Sequence, residues 1–435
     1  VIDLGEGRWT AEEQPRRRGS SRTVGVLVAI LALAALGGAQ PPPPAALALV
    51  AAVPSRPQAT IALSSDSLYV GHDVAQVSAY AVPGGGLRWR ATLSAPADSL
   101  QWVDNVGILL VSSFDNAAGA RRVSALDGRT GQRLWSDLLS AIVDFAPDRH
   151  LLVLAGTELK WIDSRTGRAL WSRPLPVNAD VSAAHVPDRP SAGQLLVTAV
   201  DGSAQLLAED TGALLASGDL GSLVGNLVLV PGPSGGVPNP TAGRSTVATL
   251  GDTFLVQRRH NADAGSLTAF DLATLRRQWT VTGDLLGTPV RCDALLCLGS
   301  ADGMRAIDPG SGTVRWRTSH WQYAVTVGNG RLVAFAVGQP GIGIGVLDAR
   351  TGRTLADLRG WWPRVYLVAG QQALLGRPDP KQANAYWLGL LDVDRLTVRQ
   401  LGLISNVDGQ SCLANANVVV CQAPDRSLKV WRWRG

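Results

Sequence analysis

Asp127-Gly-Arg-Thr130-Gly131-Gln-Arg-Leu-Trp135 and Asp163-Ser-Arg-Thr166-Gly167-Arg-Ala-Leu-Trp171 are two copies of one phrase. Looser copies follow at Asp271…Trp279, at Asp308-Pro-Gly-Ser311-Gly312…Trp316 and at Asp348-Ala-Arg-Thr351-Gly352…Ala356. Self-similarity at a period of roughly 40 residues marks stacked supersecondary units. Residues 288–319 show what one unit contains. Thr288–Arg291, Ala294–Leu298, Gly303–Ile307 and Thr313–Thr318 are short apolar runs broken by Gly, Asp and Pro, the pattern of antiparallel strands joined by tight turns. Asp can bond its own backbone two residues on, Gly supplies the positive φ of the reversal, and the tryptophan fills the gap to a neighbouring sheet.

Aligned on the tryptophan, the column reads Trp89, Trp135, Trp171, Ala216, Trp279, Trp316, Ala356 and Gln400. The widest spacing holds Pro231–Pro240, read as a loop inserted between units. Sheets of this size cannot cover both faces alone, so the expected fold is all-β: a propeller of four-stranded antiparallel blades. Eight column positions favour eight blades over nine. Three last runs, Ser411–Ala414, Val418–Gln422 and Leu428–Trp433, need a fourth strand from the other terminus, expected near Arg56–Ala62 or at Leu87–Thr92.

The Asp-x-x-Thr-Gly-x-x-Leu-Trp phrase resembles the pyrroloquinoline-quinone-type repeat of quinoprotein dehydrogenases, of BamB-type outer-membrane assembly lipoproteins and of membrane-anchored bacterial propellers, an architecture akin to WD40 and YVTN repeats. The resemblance covers about residues 60–435 and implies the fold. For activity it implies little, because catalytic and non-catalytic members share the phrase. The dehydrogenases carry adjacent cysteines over the quinone and a calcium site with nearby carboxylates. This chain has no Cys-Cys pair, and no calcium ligand or catalytic aspartate maps onto it. No cofactor is expected, with the quinone as the alternative.

The first 58 residues differ in kind. A polar stretch, 1–22, carries Arg16-Arg17-Arg18 and Arg22; Thr23–Ala39 is uncharged and apolar; and 40–58 is rich in Pro and Ala. As a helix the apolar run spans about 25 Å, at the short end for a bilayer. The expectation is a cytoplasmic tail (1–22), a single-pass signal-anchor (23–39), a stalk (40–58) and an extracytoplasmic propeller (59–435), oriented by the arginines. A signal peptide cleaved near Gly37-Gly38-Ala39 is the competing reading. Val1–Trp9 could be a short docking motif or simply tail.

A formal charge of +5, from 37 Arg and 3 Lys scattered over the chain, forms no basic stripe, which argues against nucleic acid. Cys292/Cys297 and Cys412/Cys421 fall as local pairs on adjacent strands and are expected as disulfides, with free core thiols or metal ligands as alternatives. His72, His150, His185, His260 and His320 are isolated, and no nucleophile elbow, zinc-protease or Walker motif occurs. Gly341–Gly345 reads as a hairpin or bulge rather than a phosphate loop. The recurring Asp127, Asp163, Asp271, Asp308, Asp348 and Asp392 read as turn caps on a rim. Trp361-Trp362, and Trp321 after His320, read first as packing between blades, with partner contact as the alternative. Trp431 and Trp433 suit one face of a closing strand. The functional expectation is a non-catalytic protein-interaction or cell-envelope scaffold, with a ligand-sensing ectodomain or a quinone-dependent oxidoreductase as alternatives.

Overall fold

Within residues 47–433, the computed structural model describes all but 57–58, 146–148, 177–178, 185–192, 200, 222–226, 230–244, 251, 260–264, 301, 337–342, 370–371 and 408–411. The tail, the signal-anchor, residues 40–46 and Pro231–Pro240 lie outside the described residues, as do His185, His260 and Gly341. The described residues contain strands and turns but no helix.

The strands form nine sheets. Eight are consecutive in the chain and cover 61–92, 99–138, 141–174, 180–219, 227–283, 286–318, 323–357 and 362–405. Each has four antiparallel strands in sequence order; the fifth sheet gains a short extra strand, Leu227–Leu229, parallel to Ser245–Leu250. First strands of neighbouring sheets touch, as Ile61–Leu63 does with Ser99–Val103 and with Cys412–Ala414, so the sheets follow one another round a ring. Second strands are almost wholly buried because both their faces meet a neighbouring sheet; Ser67–His72 and Val418–Ala423 are examples. The core is therefore a series of apolar layers between blades, such as Trp89, Leu109 and Leu126 between the first and second.

The expectation of eight blades is corrected to nine. The last three strands, Cys412–Ala414, Val418–Ala423 and Ser427–Trp433, are a blade in their own right, and Leu47–Pro54 completes it. The closing strand is thus neither Arg56–Ala62 nor Leu87–Thr92, and the end of the expected stalk is a strand of the ring. Its two ends explain why: Leu47 and Val53 are buried in the flanking layers, while Ala48, Leu49 and Val50, around a bulge between Leu49 and Ala51, are exposed. Val53 packs with Leu68, Val70, Val420 and Val430, joining the last blade to the first.

Val53→Ala removes apolar volume from that closing layer and is expected to lower stability by about 1–3 kcal/mol. Val74→Ala, at a 75% exposed position, serves as the control. Equal denaturation midpoints for the two variants would mean that Leu47–Pro54 does not close the ring.

Candidate interaction site

The repeated phrase forms a latch between blades. In each turn the aspartate Oδ1 accepts the backbone N–H three residues on and the hydroxyl of the Thr or Ser there, as in Asp127 with Thr130, Asp163 with Thr166, Asp271 with Thr274, Asp308 with Ser311 and Asp348 with Thr351. Asp392 accepts the N–H of Arg395 in the same way. The residue after the aspartate, or after Ala208, which stands in its place in the fourth blade, is a bridge. Its N–H reaches the first turn of its own blade, as from Gly128 to Gly107 and from Ser164 to Arg149. Its carbonyl accepts the indole N–H of the preceding blade: Trp89 to Gly128 (3.0 Å), Trp135 to Ser164 (2.7 Å), Trp171 to Glu209 (2.9 Å), Trp279 to Pro309 (2.8 Å) and Trp316 to Ala349 (2.9 Å).

The glycine completes the latch. Gly131, Gly167, Gly212, Gly312 and Gly352 have φ between 66° and 75°. A Cβ on any of them would lie 2.5–2.9 Å from the incoming indole. The backbone conformation therefore favours glycine, and the ring contact demands it. A bulge one residue before the tryptophan, between Ala169 and Trp171 in the third blade, turns the ring toward its receiver.

Three positions in the tryptophan column lack the aromatic, and each has a structural answer. Ala216 faces a turn in which Leu275 (φ 57°) replaces the glycine, and the leucine is buried against Ala216, Leu206 and Leu272. Ala356 faces Leu396 (φ 56°) in the same manner. Small and large have changed places across the interface, with the leucine held in left-handed backbone to fill the space of the missing indole. Gln400 is exposed: in its blade the bulge shifts to Leu401, and in the next blade no turn joins Ser427–Trp433 to its outer strand, Leu47–Pro54. Leu47 packs there instead, 3.2 Å from where a Cβ on Gly402 would be.

The seam between the ninth blade and the first differs from the other interfaces. Ala51 stands in the tryptophan column and meets Gly85 (φ 71°), so it offers no indole to Val82 at the bridging position. Beside Val82 and Pro83 opens a cavity of about 490 Å³, completed by Ser65, Asn417, Val418, Arg432 and Trp433. Trp433 is buried in the layer with Leu47, Leu388 and Leu401, while Arg432, on the opposite face of the strand, is exposed and leaves a cation at the cavity. Alternation along Ser427–Trp433 places Trp431 and Trp433 inward and Arg432 outward. The sequence gives no sign of this cavity, because its walls come from both ends of the chain.

The other candidates are packing groups. Trp321 is buried, donates its indole N–H to Thr354 Oγ1 and covers Gly345, which lies in a strand. Trp361 is half-buried over Gly389, with the Arg377 guanidinium 5.1 Å from its ring, and Trp362 is half-buried too. The pair is not an exposed patch. His72 contacts Ser78, His150 lies against Trp161 and His320 against Trp321, each in a different part of the ring. Cys292 is bonded to Cys297 and Cys412 to Cys421, each pair joining the first two strands of a blade.

A quinone–calcium centre needs converging carboxylates. The motif aspartates are spread one per turn with an oxygen committed to the turn, and among the described residues no three His, Cys, Asp or Glu side chains cluster to hold an ion. The residues present do not fit that centre. The carboxyls are held below the ordinary Asp range: in Asp271 and Asp348 mainly by the threonine hydroxyl, in Asp308 mainly by Arg315. Burial opposes the shift in Asp127 but is outweighed by Arg165 and Thr130.

No curated protein sequence matches the chain. The sequence family described as outer membrane protein assembly factor BamB matches residues 4–212 and 155–319. Among solved structures, BamB from Moraxella catarrhalis is 14% identical, over 89% of this chain and 100% of that one, with a TM-score of 0.45. A eukaryotic initiation factor is 10% identical over 80% and 89% of the two chains, with a TM-score of 0.54. A quinohemoprotein alcohol dehydrogenase from Pseudomonas putida HK5 is 12% identical over 66% and 62%, with a TM-score of 0.40. At these identities the likeness to the initiation factor is one of fold alone, and the two lower scores carry no argument.

Two predictions follow from the latch. Ala216→Trp alone overpacks its interface and should cost about 1–3 kcal/mol. Combining it with Leu275→Gly should recover most of that loss, a coupling of about 0.5–3 kcal/mol in a double-mutant cycle; simple additivity would refute the exchange. The second concerns acid. Because the folded-state pKa values lie below the unfolded 3.8, the turn carboxylates contribute stability above that value and lose it as pH falls through the folded pKa. Urea midpoints should therefore drop as pH falls below about 4, and Asp271→Asn with Asp348→Asn should flatten that drop.

Proposed function

The chain belongs to the family described as outer membrane protein assembly factor BamB, and on that footing we propose that it is a membrane-tethered, extracytoplasmic scaffold for protein partners in the cell envelope, with no catalytic step of its own. The observation that carries this reading is the use of the recurring polar groups. Aspartate and hydroxyl are consumed in holding each turn and the indole N–H in holding blade to blade, and the ring they build offers loops on two faces. The seam cavity supplies a recognition feature: Arg432 can meet an acidic group while Val82, Pro83 and Val418 receive an apolar one.

The compartment rests on separate support. Two disulfides suit an oxidising environment outside the cytoplasm. Arg16–Arg18 and Arg22 precede the apolar run 23–39, the order that keeps the N-terminal side in the cytoplasm. A reporter phosphatase active only outside the cytoplasm, fused after Gly435, should be active, and an inactive fusion would refute the topology.

Thermal unfolding with and without pyrroloquinoline quinone and calcium separates scaffold from oxidoreductase. A ligand at 100 times its dissociation constant stabilises the native state by about 2.7 kcal/mol. The scaffold reading expects no shift, and a clear rise in Tm together with quinone-dependent dye reduction would overturn it.

A further inference from the structure

The outer strand of the ninth blade is chemically unlike the other eight. Leu47–Pro54 reads LALVAAVP, without a charged or hydrogen-bonding side chain, whereas every other outer strand carries at least one Arg or Asp. Charge on an exposed edge is how sheets avoid unwanted pairing, so its lack on this edge needs an explanation. The strand is not simply buried. Leu49 is 57% exposed, and Val50, Ala48, Ala52 and Pro54 are exposed as well. The contact of Ala51 with Gly85 brings the outer strand of the first blade alongside, where Leu87 is 49% exposed. Exposed apolar side chains therefore stand on both outer strands that flank the seam, an apolar edge on the rim of the ring.

Chain length limits what can cover it. Only the seven residues 40–46 separate the apolar run 23–39 from Leu47, a reach of at most about 25 Å. If that run crosses a bilayer, the strand that begins at Leu47 is tied to the lipid surface more closely than any other outer strand. Exposed Arg90 and Arg432, on the strands beside the patch, add positive charge of the kind that anionic headgroups attract.

We infer that the ring rests edge-on against the lipid surface, with Leu49, Val50 and Leu87 entering the headgroup–acyl boundary and Arg90 meeting lipid phosphates. The inference deepens the tethered reading and rests on it. The seam cavity would then open next to the membrane, where a partner emerging from the bilayer could reach it.

The test uses the full chain in vesicles of phosphatidylcholine and phosphatidylglycerol. A spin label is placed at Leu49→Cys, Leu87→Cys or, as control, Leu214→Cys on the outer strand of the fourth blade, which is also half exposed. The four native cysteines are disulfide-bonded and do not take the label. Collisions with oxygen, which concentrates in lipid, are compared with those of a water-soluble nickel chelate. Labels at 49 and 87 should show an oxygen-to-nickel ratio several-fold above that at 214, and Val50→Asp should reduce the ratio at 87. A chain that floats with the vesicles while all three labels report water keeps its tether and overturns the inference. Labels at 49 and 87 shielded from both reagents would mean that protein covers the patch, which also overturns it. A chain that does not float refutes the tether itself, and the inference with it.

Discussion

One indole N–H bonded to one carbonyl of the next blade is the interaction on which this ring depends. A neutral hydrogen bond of this kind contributes only about 0.5–1.5 kcal/mol net. Its importance is geometric. The bond fixes where the ring lies, the ring excludes every residue but glycine beneath it, and that glycine sets the turn that presents the accepting carbonyl. Donor, platform and acceptor are thereby specified by a nine-residue phrase. Five interfaces use this arrangement without change.

The remaining interfaces show how far the device can be altered. Two replace an indole on glycine with a leucine from the receiving turn over alanine, conserving filled volume at the expense of a left-handed leucine. The other two flank the ninth blade, whose outer strand comes from the opposite end of the chain. There the register of the eighth blade shifts, and Ala51 leaves the bridging Val82 without an indole partner from its column. The cavity and the uncharged edge both lie at this seam. Functional candidates thus gather where the repeat is interrupted, as expected of a scaffold whose regular parts are occupied with one another.

Much of the blade was legible in the sequence because its turn chemistry is local. Asp127 to Trp135 specifies a reversal, a glycine and an aromatic within one short stretch, and the two cysteine pairs sit on strands close enough to read as neighbours. Three strands of the ninth blade were legible, but its outer strand was not, for the opposite reason. Leu47–Pro54 has no turn motif and no tryptophan, and an uncharged run after four prolines reads as the end of a membrane-proximal stalk. Its pairing is set by Trp431 and Val430, far away in the chain. Trp321 and Trp361 read in the sequence as packing before recognition, since tryptophan beside a blade boundary can serve either; in the structure Gly345 and Gly389 lie beneath their rings. The cavity wall, with Arg432 and Val82 on different blades, has no local signature at all.

The closing strand also sets an order of events. Leu47–Pro54 is made before any blade, yet its pairing partners, Ser427–Trp433, are made last, and the bond from Gln422 to Arg56 spans 366 residues. Contacts so remote in sequence form slowly, because the chain between them must be ordered first. Eight blades can assemble in turn as they emerge, each resting on the one before, while the first-made strand waits with both edges unpaired. A chain broken off before its last blade would keep that apolar strand open, and its loss would be recognisable to whatever machinery inspects unfinished proteins.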